Sequence, residues 1–330
     1  MKRISTLTVL LALGVCCAIA AAARPQTSRA PIKHPPGAYA NVNGIKLWYE
    51  TEGQGEPLVL VPGGPGDPHT VFHLFFSRLA DRQRIIYFDE YGVGKSDRAE
   101  SKSEYSFARD VENLEGLRKA LGLSKMNLLG QSYGGMVAQA YALTYPQFVD
   151  RLILIDSFYS GDMWQANDDN ANREMQTQYP EVWAKVMQLR AMGQRSSSPE
   201  HQELYESVPL GLFYFYDAAK ASLLPDDPST ADVYFAIAGE DADFVIGGDI
   251  AKLDFRSDLR KLTMPMLIMA GRYDRISQPE WSVKFQTYAP QAEFLMMEQS
   301  GHFPWIEEPE KTLAVLRNFL SKPVAARKSP

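Results

Sequence analysis

Gly130-Gln131-Ser132-Tyr133-Gly134-Gly135 places a G-x-S-x-G pattern between the apolar run 126–129 and the helix-like stretch 136–143. In a strand–turn–helix setting this pattern lifts a serine hydroxyl onto a sharp turn, because small neighbours let the backbone fold tightly behind it. The amide after the serine then lies near a helix N-terminus, where negative charge is favoured. Glycine–serine turns also cap ordinary helices, so the partners decide. A serine hydroxyl attacks well only when a base takes its proton and an acid orients the base. Of the five histidines, His34 lies in a proline-rich leader, His69 and His73 precede the serine, and His201 falls in a helical stretch. Only His302, in 299–305, follows a late strand directly. Asp274, just past the strand run 265–270, is the better-placed acid, and Asp156, after the run 152–155, is its rival. The chain order Ser132, Asp274, His302 is the one such a serine calls for on a parallel sheet.

The elements needed to hold these residues can be read along the chain. Asn43-Gly44 between alternating segments signals a two-residue hairpin. The run 58–61 reads as a buried parallel strand feeding Pro62-Gly63-Gly64-Pro65-Gly66, a loop whose backbone can approach a ligand closely. A helix with Val71, Leu74, Phe75 and Leu79 on one face comes next, followed by the strand 85–88. Asp89 to Ser96 holds a short glycine repeat but lacks the third glycine and helix of a dinucleotide fingerprint. Phe107, Val111, Leu114, Leu117 and Leu121 mark a second amphipathic helix. Strands alternating with helices predict an α/β fold with a mostly parallel sheet and helices on both faces. From 157 to 257 the alternation stops in favour of aromatic-rich helical sequence; it resumes at 265 and ends in a helix over 309–320. The expected organisation is therefore an α/β core, 38–156 and 258–322, with a helical cap, 157–257, inserted.

Composition narrows the function. The chain has 330 residues, 45% apolar and 22% charged, with a formal charge of −6. That is enough material for a substantial core, and no basic stretch suggests nucleic-acid binding. The histidines are scattered and both cysteines lie in the first 17 residues, so no metal-ligand cluster and no cofactor are expected. Lys2 and Arg3, an apolar stretch over 7–20 and Ala21-Ala22-Ala23 predict a signal peptide over 1–23. A flexible leader over 24–37 should follow, and the mature protein should be exported (periplasmic or secreted) without stable membrane contact.

Three segments carry a resemblance. Pro62-Gly63-Gly64-Pro65-Gly66 is similar to a His-Gly-Gly-Pro-Gly loop, with Pro in place of His. Asp89 to Ser96 is similar to Asp-Gln-Arg-Gly-x-Gly-x-Ser, with Glu90 and Tyr91 in place of Gln and Arg, and Gly130 to Gly135 matches Gly-x-Ser-x-Gly-Gly in full. From about 38 to 320 the chain thus resembles the α/β-hydrolases, and within them the proline iminopeptidase family, including its tricorn-interacting aminopeptidase branch. The resemblance implies a triad of Ser132, Asp274 and His302 and an oxyanion hole from the amides of Gly64 and Tyr133. It also implies a cap acid that binds the substrate's free ammonium. Gly239 to Phe244 is similar to the family's Gly-x-Asn-Glu-Phe, with one extra residue, which carries that role to Asp243; Glu240 and Asp241 are the alternatives. The expected function is an exported serine peptidase, an aminopeptidase releasing N-terminal proline by preference from short peptides. The alternatives are an esterase, lactonase or amidase on the same fold, and a binding protein that kept the fold without the activity.

Overall fold

The computed structural model describes residues 34–209 and 211–323. The signal peptide expected at 1–23, and the leader as far as residue 33, lie outside the described residues. The leader's end departs from expectation: Gly37 already opens the first strand, and His34 Nδ1 lies 3.0 Å from Glu50 Oε2. A strand ladder and a buried carboxylate hold a stretch whose prolines alone suggested flexibility.

Among the described residues eight strands form one sheet in the order β1-β2-β4-β3-β5-β6-β7-β8. They are β1 (Gly37–Val42), β2 (Ile45–Glu52), β3 (Glu56–Val61), β4 (Gln83–Phe88), β5 (Met126–Gln131), β6 (Val149–Ile155), β7 (Met266–Gly271) and β8 (Glu293–Met297). Only β2 runs against its neighbours; from β4 to β8 every pairing is parallel. The hairpin turns at Asn43 (φ 50°) and Gly44 (φ 87°), with Val42 opposite Ile45. Two consecutive positive φ values give the twist that joins adjacent antiparallel strands.

Parallel strands covered on both faces must be apolar on both, and alternate residues supply the two cores. Val59, Val61, Ile86, Phe88, Leu128, Leu152, Leu154 and Ile268 belong to one, and Leu58, Leu60, Ile85, Tyr87, Leu129, Ile153, Ile155 and Leu267 to the other. Helices α1 (His73–Phe76), α2 (Phe107–Ala120) and α3 (Tyr133–Thr144) lie between the strands up to β6. The helix expected around 71–79 is broken into a 3-10 turn at His69–Phe72, α1, and a second 3-10 turn at Ser77–Leu79. Phe72, Phe75, Phe76 and Leu79 nonetheless all reach the second core. α3 is buried almost all round, so it has no polar face to set its orientation; glycines at its start do that instead.

Between β6 and β7 run α4 (Gly161–Gln178), α5 (Pro180–Ala191), α6 (Pro199–Glu206), α7 (Gly211–Tyr214) and α8 (Ala231–Ala238). Ser160 caps α4 by accepting from the Met163 amide. This segment is tied to the sheet layers, because Asp249 Oδ2 accepts the amide of Phe107 at the start of α2 (3.1 Å). The chain closes with α9 (Pro279–Ser282), α10 (Phe285–Tyr288), α11 (Pro304–Glu307) and α12 (Pro309–Ser321). Among the described residues no helix is long and apolar enough to cross a membrane.

Candidate active site

Ser132 joins β5 to α3 with φ 54° and ψ −123°. A non-glycine residue in that region is strained, and the strain persists only where the surroundings over-determine it. Here they do. A Cβ on Gly130 would stand 2.2 Å from the Gly134 carbonyl oxygen, and one on Gly134 would stand 2.3 Å from that of Val61. Only glycine permits helix, strand and neighbouring strand to meet so closely. The turn is further held by the Ser132 amide donating to Ile155 O (3.0 Å) and by Ser157 Oγ donating to Ser132 O (2.9 Å).

His302 and Asp274 meet as the chain order predicts. Nδ1 of His302 lies 2.7 Å from Asp274 Oδ2, and both residues are buried. Asp274 also accepts the amides of Ile276 (2.7 Å) and Ser277 (2.9 Å) and the Ser277 hydroxyl (2.7 Å). Burial pushes its carboxyl up, but His302 and these donors outweigh burial and hold it below the usual range. The rival, Asp156, does not contact the imidazole; its Oδ1 accepts the Gly271 amide (2.7 Å). Burial and the charge of Asp274 push the Asp156 carboxyl well up. With Nδ1 committed to Asp274, Nε2 of His302 is left to accept a proton.

The histidine loop is hung from the helical segment. His302 donates its amide to Tyr214 O (2.7 Å), and the Tyr214 ring lies edge-on to the imidazole at 5.5 Å. Glu307 accepts the amides of Gly301 (2.5 Å), Tyr216 (3.2 Å) and Asp217 (2.8 Å), joining both sides of that contact.

The glycine loop after β3 runs directly past the serine. A Cβ on Gly63 would lie 3.2 Å from Ser132 Cβ and 3.3 Å from Asp67 Oδ2. Gly64 holds φ 102°. Tyr133 is the first residue of α3, where amides have no partner within the helix. Its hydroxyl is occupied elsewhere, donating to Asp110 Oδ2 at 2.6 Å. Asp67, which no sequence motif marked, bonds Ser229 Oγ at this mouth.

The three candidate acids of 240–243 separate clearly. Glu240 is exposed. Asp241 is committed to Arg190 through two bonds (2.5 and 2.9 Å) and to Arg195 (3.1 Å). Asp243 is half-buried, with its Oδ2 3.7 Å from His201 Nδ1, beyond hydrogen-bond range. Burial pushes its carboxyl up to about 6, the Ser196 hydroxyl offsetting part of the rise. The structure adds Asp168 of α4, whose Oδ2 is buried with no hydrogen-bond partner. Burial and the charge of Asp243 push its carboxyl well up. The same two acids act on the half-buried phenols of Tyr205, Tyr214 and Tyr234. Their field thus reaches Tyr214, the residue that carries His302. Sequence could not single out Asp168, because Asp168-Asp169 on a helix looks like an ordinary solvated face.

The expectation of no metal-ligand cluster is corrected. Pairing of β2 with β4 and the turn after the glycine loop bring His34, His69 and His73 to Glu50, with one ligand atom from each within 4.8 Å of the others. Separation along the chain hid this.

The geometry agrees with known proteins. Residues 56–309 match the family described as alpha/beta hydrolase fold. A proline iminopeptidase of Heyndrickxia coagulans is 28% identical over 279 residues, covering 83% of this chain and 93% of that protein. The crystal structure of a Mycobacterium smegmatis proline iminopeptidase superposes with a TM-score of 0.68 at 22% identity, covering 86% of this chain and 97% of that one. A Thermogutta terrifontis esterase superposes at 0.64 and 23% identity, covering 86% and 98%. The strand order, the strained serine and the family match lead to one conclusion: the chain belongs to the α/β-hydrolase fold family and is a hydrolase similar to proline iminopeptidases.

Proposed function

We propose that the protein is a serine aminopeptidase that releases an N-terminal residue, preferably proline, from short peptides and acts after export. Ser132 Oγ attacks the scissile carbonyl while His302 Nε2 takes its proton, and Asp274 keeps the imidazole in the required tautomer. The amides of Gly64 and Tyr133 hold the oxyanion, a contribution of several kcal/mol to the barrier when both donors converge. The imidazolium returns the proton to the leaving amine, and water then frees the acyl-enzyme by the same route. Asp243, with Asp168 beside it, accepts the substrate's ammonium.

One observation carries this reading: a buried carboxylate oxygen of Asp168 without a partner, next to Asp243 and within the field that reaches Tyr214. Leaving a buried carboxyl oxygen without a partner is costly, and a bound ammonium supplies that partner. A neutral ester would leave the cost in place. The relatives named proline iminopeptidase support the same choice. The test compares proline p-nitroanilide, its N-acetyl derivative and p-nitrophenyl acetate. Acetylation should lower kcat/KM on the anilide by about ten- to a hundredfold, since a charge-assisted contact contributes about 1.5–3 kcal/mol. Equal cleavage of free and acetylated anilide would replace the aminopeptidase with an esterase or amidase.

A further inference from the structure

His34, Glu50, His69 and His73 come from four parts of the chain: the residues ahead of β1, the middle of β2, the 3-10 turn after the glycine loop, and the start of α1. Glu50 Oε2 is their centre, 3.0 Å from His34 Nδ1, 3.4 Å from His69 Nε2 and 3.0 Å from His73 Nε2. Glu50, His69 and His73 are buried, and His34 is 37% exposed at the edge.

These contacts are only in part a hydrogen-bond network: His34 Nδ1 bonds Glu50 Oε2 at 3.0 Å, and the other two rings do not complete it. Neither His69 Nε2 nor either ring nitrogen of His73 has a hydrogen-bond partner, although two of them lie within 3.4 Å of a carboxylate oxygen. The nitrogens converge on one region instead of pointing donors along bonds. The three rings are also close, with centroids 4.8, 5.1 and 6.2 Å apart. With His69 Nδ1 bonded to Asp89, a neutral His69 turns the lone pair of its Nε2 toward the Glu50 carboxylate, and three protonated rings would place three cations around one carboxylate. A divalent cation relieves both arrangements, because lone pairs and carboxylate then share one positive centre.

The surroundings are arranged as they are around bound metals. Asp89 Oδ1 takes His69 Nδ1 at 2.6 Å, which fixes the tautomer and leaves Nε2 as a ligand. Asp89 is itself held by the amides of His69 (3.2 Å) and Lys95 (2.9 Å). Trp48 Nε1 donates to the other oxygen of Glu50 at 3.0 Å, and Lys95 Nζ lies 3.7 Å from it, so Oε2 is the oxygen that faces the three imidazoles. His34 and His69 line a cavity of about 330 Å³ that gives access from outside.

We propose that His34, Glu50, His69 and His73 form a binding site for a divalent transition-metal ion of the zinc class. Three imidazoles and one carboxylate suit zinc, cobalt or nickel over calcium or magnesium. Four protein ligands complete a tetrahedral shell, so the ion's role is structural. It fastens the chain ahead of β1 and the turn after the glycine loop to β2. The proposal stands apart from the peptidase reading, since none of the four ligands takes part in acyl transfer.

The untagged chain, stripped with a chelator and dialysed, is titrated with CoCl2 and then ZnCl2. The expected result is one Co²⁺ per chain with the strong visible absorption of four-coordinate cobalt, bleached by zinc, which binds with sub-micromolar affinity. Zinc at a hundredfold excess over its Kd should raise Tm by roughly 5 °C. His34→Ala, at a partly exposed position ahead of the first strand, should keep the fold and weaken binding at least about tenfold, as even loss of an outer partner does. Glu50→Gln should weaken it further. No four-coordinate cobalt signal, or a signal and Tm shift unchanged in His34→Ala, would overturn the site.

Discussion

Ser132 holds a backbone conformation that its own side chain disfavours, and the glycines around it enforce that conformation. Ser132→Ala should therefore keep the fold, with an unchanged circular dichroism spectrum, and lose acyl transfer. More than about a hundredth of wild-type kcat in this variant would show that another group is the nucleophile, since triad losses run far larger. Asp243 gives a second test through pH. Its carboxyl is pushed up to about 6, so it is ionised above that value and neutral below it. As pH falls through about 6, attraction for the substrate ammonium is lost. The ratio of kcat/KM on proline anilide to that on a neutral ester should drop with it, because His302 affects both substrates alike and cancels. Asp243→Asn should lower the anilide rate by about ten- to a hundredfold at pH 8 and flatten the ratio. Glu240→Gln, at an exposed position, should change neither.

At the scale of elements, the Arg190–Asp241 pair joins the end of α5 to the turn after α8. Burial pushes the Asp241 carboxyl up, but Arg190, the Ser196 amide and Arg195 bring it down to about 2. A carboxyl lowered on folding stabilises the native state above its unfolded value, near 4, and that stabilisation disappears as pH falls toward 2. Asp241→Asn should thus cost about 1–3 kcal/mol near neutral pH, read from the urea midpoint, and the difference from wild type should shrink in acid. The sequence disclosed the elements unevenly. The runs 58–61, 85–88, 126–129 and 152–155 were legible as strands because a sheet covered on both faces leaves few polar positions in them; Asn127, whose Oδ1 accepts from Arg151, is the exception. The region around 69–79 was not, since its apolar spacing fits one helix as well as three short turns. Ser132, Asp274 and His302 were legible because each sits in a loop directly after a strand. Asp168 and the histidine cluster depend on tertiary approach, which no local spacing encodes.

For the whole molecule, export is a proposal that rests on residues 1–23 alone. Intact mass measurement of the mature protein should give an N-terminus near Arg24, and a mature chain still starting at Met1 would reject it. The described fold has its own consequence for how the enzyme turns over. The backbone of His302 hangs from Tyr214, and Glu307 binds the two sides of that junction together. The base is thus mounted partly on the segment inserted between β6 and β7. An outward swing of that segment would have to break the Tyr214 contact or carry the imidazole with it, so the position of the base is tied to the position of the segment.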